Sequence, residues 1–240
     1  MELLLVVGVE GTGHHMLRAV LQDFLSKPTV VDKGDYYPLL EQRWETTEER
    51  LPLNAVKKEL QRIVRAYRAC NVTHIFEDTS FPFNKPRNAL RRPDVLDLCE
   101  LLQGLMGIKI LVLYRNPVST VYSGLRRGFS TNINLEAKIA ESNHIYIERQ
   151  MSQLPREIYK TIHFEKFVET PVMYLEALSR WWQLGREQIS AGHERICRHT
   201  SINDIPPKTK SYLQAYFTEV RLRQWISFYQ GNPLVKEETL

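Results

Sequence analysis

The chain alternates short apolar runs with longer segments in which apolar residues return every three or four positions. The short runs are Leu3–Val7, Thr29–Val31, Thr73–Phe76, Ile108–Tyr114 and Thr161–Phe164; their length and composition predict strands. Helical spacing predicts helices over His14–Leu25, Leu53–Ala69, Pro93–Met106, Pro117–Arg127, Leu135–Gln153, Val172–Ser190 and Thr209–Tyr229. In the second of these, Val56, Leu60, Ile63, Val64 and Tyr67 share one stripe. Trp181-Trp182 falls within the sixth, where core packing accounts for the pair. Pro206-Pro207 marks the start of the last. Strands that alternate with helices predict an α/β fold: three layers, α/β/α, around a central, mostly parallel five-stranded sheet. Neither repeats nor linkers interrupt the pattern, so residues 1–240 are expected to form one domain.

The first apolar run leads directly into Gly8-Val9-Glu10-Gly11-Thr12-Gly13-His14-His15. A buried strand, a glycine-rich turn and a helix aim several backbone N–H groups at one spot, which favours phosphate or sulfate. This is the frame of a phosphate-binding (P-loop) turn. His14-His15, however, stand where Lys-Ser or Lys-Thr would grip the β/γ-phosphates and Mg²⁺. The loop therefore suits a phosphorylated ligand held without a metal, and a P-loop small-molecule kinase is only an alternative.

Bulk properties narrow the classes further. With 43% hydrophobic residues, 240 residues can bury a sizeable core. A net charge of +4 with no dense Lys/Arg block suits an anionic ligand and leaves no nucleic-acid footprint. Cys70, Cys99 and Cys197 stand far apart, as in a reduced intracellular chain. No run approaches the roughly 20 apolar residues of a membrane span. The first apolar run is needed in the core, so it does not read as a signal peptide, and the expected location is cytoplasmic.

Ligands of open α/β sheets bind beyond the carboxyl ends of the strands. The segments there are the glycine loop, Asp32-Lys33-Gly34-Asp35-Tyr36-Tyr37, Glu77-Asp78-Thr79-Ser80 and Arg115-Asn116-Pro117. After the last comes a helix with Ser119, Ser123, Arg126 and Arg127. Arg115 ends a strongly apolar strand, and Ser119 and Ser123 share a helical face. An Arg fork and a hydroxyl converging there can bind a second phosphate; capping of the helix is the plainer role for Arg-Asn-Pro.

Taken together, these segments resemble the sulfotransferases that use 3′-phosphoadenosine 5′-phosphosulfate (PAPS). The resemblance gives Gly8–His15 to the 5′-phosphosulfate, and Arg115 with Ser123, eight residues on, to the 3′-phosphate. Phe76-Glu77-Asp78-Thr79-Ser80-Phe81 is similar to the family's Phe-Glu-Lys-Thr-Pro segment. Ile162–Pro171 is similar to its Tyr-Glu-Asp-Leu-x-x-x-Pro segment, and Gly13–Leu21 to the first helix of the tyrosylprotein and heparan-type branches. The family has Lys or Arg at the position of Gly11 and Lys at that of Asp78, so this chain departs from it twice.

The resemblance implies in-line sulfuryl transfer to a hydroxyl or amine, with 3′-phosphoadenosine 5′-phosphate (PAP) as product and no metal. Gly11, Thr12 and Gly13 would hold the 5′ end, with protonated His14 or His15 standing in for the missing cation. In the heparan-type branch the base is a Glu after the second strand, which makes Asp35 the favoured general base here. Asp32, Glu10 and Asp78 are its alternatives. The acids Glu10, Asp35 and Asp78 would also attract a cationic acceptor. Candidate acceptor segments are Tyr36–Glu49, Ser80–Arg92 and Gly128–His144, which suit a small molecule, a glycan or a peptide equally. The two lost cations leave a further alternative, a nucleotide-binding relative without catalytic activity.

Overall fold

The computed structural model describes residues 1–44, 51–82, 92–183 and 202–235. Five strands, β1 (Glu2–Val9), β2 (Val30–Asp32), β3 (His74–Phe81), β4 (Gly107–Tyr114) and β5 (Tyr159–His163), form one sheet in the order β2-β3-β1-β4-β5. Every pairing is parallel. The central strand β1 is apolar throughout because both its faces are covered, as parallel sheets require. Leu3, Leu5, Val7 and Val9 enter one core and Leu4 and Val6 the other, following the two-residue alternation of a strand.

Helices α1 (His14–Val20), α2 (Gln22–Leu25), α8 (Phe164–Glu169) and α9 (Pro171–Trp182) cover the Leu4/Val6 face. Trp182 is fully buried there and packs on Phe24 and Phe76. The opposite face carries α3 (Tyr37–Trp44), α4 (Leu53–Ala69), α5 (Val95–Leu102), α6 (Pro117–Arg126), α7 (Ile133–Met151), α10 (Pro207–Tyr216) and α11 (Glu219–Gln230). The chain leaves β1 for β2 and β3 on one side, then crosses to β4 on the other. The carboxyl end of β1 is thus where the winding reverses, the usual place for a ligand.

Helix α4 has the bounds expected from its apolar stripe. Elsewhere tertiary packing changes the pattern. The His14–Leu25 helix breaks at Leu21, and α2 restarts so that Phe24 and Leu25 reach the core. The expected Thr209–Tyr229 helix is two helices, α10 and α11. Between them Phe217 is buried edge-on against Trp225, folding α11 back; Pro206-Pro207 therefore starts α10. Strand β3 runs on through Glu77–Ser80, which were expected to follow it. Leu5, Val6, Val7 and Gly8 of β1 pair with these four residues, and the ladder outweighs their polarity.

The polar stretch from Tyr36 contains α3, whose Leu40 and Trp44 are buried one turn apart. Arg43 and Trp44 both donate to the Asp97 carboxylate of α5, Arg43 through two bonds of 2.7 and 2.6 Å. Residues 45–49 of that stretch, 83–91 of the second acceptor segment, 184–190 of the sixth expected helix and Cys197 lie outside the described residues. Cys70 and Cys99 are unbridged. Among the described residues, no helix is long and apolar enough to cross a membrane.

Candidate nucleotide and acceptor site

The loop after β1 turns on two glycines in left-handed conformations, Gly11 at φ 98° and Gly13 at φ 107°. The Thr12 N–H donates back to the Val9 carbonyl, closing the turn. A Cβ at Gly11 would stand 2.9 Å from the Thr120 carbonyl oxygen of α6 and 3.4 Å from Ser123 Cβ. One at Gly13 would meet the Phe164 ring at 2.2 Å. Only glycine fits at either position, so the loop is wedged between α6 and α8.

Arg115 lies buried just past β4, where its Nη1 donates to the Gly11 carbonyl at 2.8 Å. Its guanidinium carbon lies 4.7 Å from the centre of the Phe164 ring, a cation–π contact. Burial lowers the Arg115 pKa and Glu165 opposes this; guanidinium remains charged at neutral pH. Asn116 caps α6 by accepting from the Val118 N–H, and Pro117 occupies the first turn. That orientation brings Ser123 to the same cavity as Arg115, whereas Ser119 is buried and lines no part of it.

The cavity measures about 870 Å³. One end is basic, with Arg115, Arg126 and Arg127 beside Ser123. Gly11, Gly13, His14 and His15 line its middle. The far end carries Asp35, Glu41, Glu77 and Asp78, with Lys33 and Tyr37. A site polarised in this way can hold an anion at one end and orient a polar group at the other.

The two histidines have different surroundings. His14 is buried with Nε2 3.2 Å from the Thr12 hydroxyl. Burial lowers its pKa, and Asp78 and Glu10 oppose the shift only in part. His14 is therefore neutral near pH 7 and props Thr12 instead of adding charge. His15 is exposed on the cavity wall.

Most of the carboxylates picked out in the sequence already hold cations. Arg18 pairs with Asp32 at 2.9 Å and with Asp78 at 2.6 Å. Glu10 pairs with Arg127 at 2.9 Å. Asp32 lies outside the cavity lining, while Glu10 and Asp78 are part of it. Asp35 is exposed, and its backbone N–H donates to the Tyr67 hydroxyl at 2.8 Å. Burial, above all, pushes that hydroxyl up to about 12.

Sequence reasoning placed Lys33 and Glu77 in ligand-facing segments but gave them, like Arg18 and Phe164, no role of their own. Glu77 is buried at the cavity floor and accepts from the Gly34 N–H at 3.0 Å. Burial pushes its carboxyl up to about 8, despite the Gly34 hydrogen bond and the nearby Lys33 and Arg18 charges. Lys33 adopts φ 65° at the end of β2, unusual for a residue with a side chain. Such an outlier beside a cavity singles Lys33 out within its segment, and it is visible only in three dimensions. Among the described residues no cluster of His, Cys, Asp and Glu could hold a metal ion.

No protein-family model matches the chain, and no curated protein matches it in sequence. Solved structures do match it in fold. A sulfotransferase from Alicyclobacillus acidocaldarius aligns at TM-score 0.55 and 16% identity, over 93% of this chain and 95% of that one. The sulfotransferase domain of the Synechococcus PCC 7002 olefin synthase aligns at 0.54 and 14%, over 95% and 88%. Mouse sulfotransferase SULT7A1, solved in complex with PAP, aligns at 0.56 and 11%, over 96% and 89%. The chain thus has the fold of these sulfotransferases.

Proposed function

We propose that the protein is a sulfotransferase that moves a sulfuryl group from PAPS to a hydroxyl or amine acceptor. The observation that carries this reading is the junction of two anion seats. Arg115 is hydrogen-bonded to the Gly11 carbonyl and Ser123 lies against Gly11, so the strand-end Arg, the helix Ser and the glycine loop share one cavity. Glycines, lacking side chains, let a phosphate oxygen approach the N–H groups of such a turn. At about 870 Å³ the cavity has room for a nucleotide beside a small acceptor.

In this reading Arg115 and Ser123 hold the 3′-phosphate, and the N–H groups of Gly11, Thr12 and Gly13 hold the 5′ end. PAPS supplies an activated sulfuryl group, whose bond to the 5′-phosphate is the one that breaks as the acceptor atom bonds to sulfur. His14 fixes the Thr12 hydroxyl, and exposed His15 stands beside it on the cavity wall. Glu77 takes the acceptor proton. Its carboxyl, held at about 8, is better matched to that task near neutral pH than an ordinary carboxylate. Asp35, at the mouth of the same end, orients the acceptor.

The test is calorimetric titration with PAP, ADP and ATP, with and without Mg²⁺. Metal-independent micromolar binding that prefers PAP and weakens about 10- to 100-fold in Arg115→Ala is expected. A preference for Mg-ATP, or no nucleotide binding, overturns the reading. A second reading, nucleotide binding without turnover, is favoured by two observations: Asp78 is tied to Arg18, and Gly11 has no room for a side chain. PAP binding with no transfer to phenol, alcohol, glycan, peptide or amine acceptors would select it.

A further inference from the structure

Resting on that reading, we infer that Lys33 is the cation that binds the 5′-phosphate group at the acidic end of the cavity. The case begins with the backbone. Lys33 N–H donates to the Phe76 carbonyl at 3.0 Å and Gly34 N–H donates to Glu77 at 3.0 Å, so two successive amides are pinned to β3. This pinning imposes φ 65° on Lys33, a conformation that strains any residue with a Cβ and suits glycine. The fold thus carries a strained lysine at a position glycine would occupy without strain, and this residue lines the cavity. Strain beside a cavity points to a use for the side chain.

The arginines around the cavity are engaged. Arg18 is shared between Asp32 and Asp78. Arg127 pairs with Glu10, and Arg115 bonds the Gly11 carbonyl at the basic end. His14 is buried beneath the loop. Lys33 is the only lysine among the described residues that line the cavity, and among them no carboxylate lies within ion-pair distance of it. Without Lys33, a phosphate at the glycine loop would face Asp35, Glu41 and Asp78 with Arg18, already paired, as the nearby cation. An ammonium on that side of the cavity would offset those acids and pair with a phosphate.

Calorimetry of the wild-type protein, Lys33→Gly and Lys33→Arg with two ligands tests this. PAP carries both phosphates, and adenosine 3′-monophosphate lacks the 5′ one. Lys33→Gly is expected to weaken PAP about 10- to 100-fold and to leave adenosine 3′-monophosphate within about twofold. Lys33→Arg is expected to restore most of the loss, and the thermal midpoint of Lys33→Gly to equal or exceed that of the wild type. Unchanged PAP affinity, equal losses for both ligands, or a loss accompanied by a lower midpoint would overturn the inference. If the wild-type protein binds no PAP, the sulfotransferase reading falls and takes this with it. If the wild type binds PAP and Lys33→Gly matches it, only the role of Lys33 falls.

Discussion

One guanidinium nitrogen of Arg18 lies 2.6 Å from Asp78, and the same nitrogen lies 2.9 Å from Asp32, so α1 is tied to the neighbouring strands β2 and β3. The resemblance to PAPS-dependent sulfotransferases calls for Lys at position 78. Restoring it here would set a second cation against Arg18 in a largely buried place. Asp78→Lys is therefore expected to lower unfolding free energy by about 3 kcal/mol and to bring no gain in transfer rate. Urea denaturation and an acceptor assay check this. A variant both stable and faster would show that Arg18 is not committed to Asp78.

The glycine loop resists the other obvious repair. At φ 98°, with Thr120 and Ser123 against it, Gly11 has no room for a side chain. Gly11→Ala is expected to lower the thermal midpoint by about 4 °C or more, from about 1–2 kcal/mol of backbone strain plus contact with α6. PAP affinity should fall with it, because the N–H groups lose their aim. Scanning calorimetry of Gly11→Ala, with and without PAP, reads both effects.

Glu77 makes stability depend on pH with a definite sign. Its folded pKa of about 8 exceeds the ordinary 4.5, so the folded chain keeps a proton that the unfolded chain has released. The stabilisation from this group is full below pH 4.5 and is lost as pH rises toward about 8. Glu77→Gln keeps an oxygen for the Gly34 N–H and has no proton to lose. Relative to the wild type it should gain stability steadily between about pH 5 and 8, and lose the rise in transfer rate centred near pH 8. Parallel stability curves for the two proteins would contradict the raised pKa.

Asp97 is predicted to shape the acceptor end from a distance. It receives two bonds from Arg43 and one from Trp44, and these hold α3, the helix that brings Tyr37, Pro38 and Glu41 to the cavity. Asp97→Ala leaves a buried guanidinium without its carboxylate and should cost about 3–5 kcal/mol. At temperatures where the variant stays folded, KM for the acceptor should rise more than the dissociation constant for PAP. Equal changes in both would place α3 outside acceptor binding.

Much of this arrangement was legible in the sequence, for identifiable reasons. Leu3–Val7 and Ile108–Tyr114 are apolar without a break because their strands are covered on both faces, and such runs need no context to be read. Gly11, Gly13, Arg115 and Ser123 line one cavity, and their proximity was legible because tight turns and strand ends use few residue types. Glu77 was harder: as a polar residue it looked like the start of a loop, and only pairing with Leu5 makes it part of a strand. Arg18 was silent in the sequence because its partners arrive from two other strands. Lys33 was hidden because a left-handed φ at a lysine leaves no mark on composition or periodicity.

Strand position also sets the order in which the molecule loosens. Strand β1 is paired on both sides and buried on both faces, and its amides should exchange only when the whole sheet opens. Strand β2 is three residues long and lies at the sheet edge, and the turn that follows it carries Lys33 and Asp35 into α3. Hydrogen exchange should therefore reach the β2–α3 wall well before the glycine loop. The Arg115–Ser123 end would persist while the opposite wall, Lys33 included, opens and closes, admitting one partner without releasing the other.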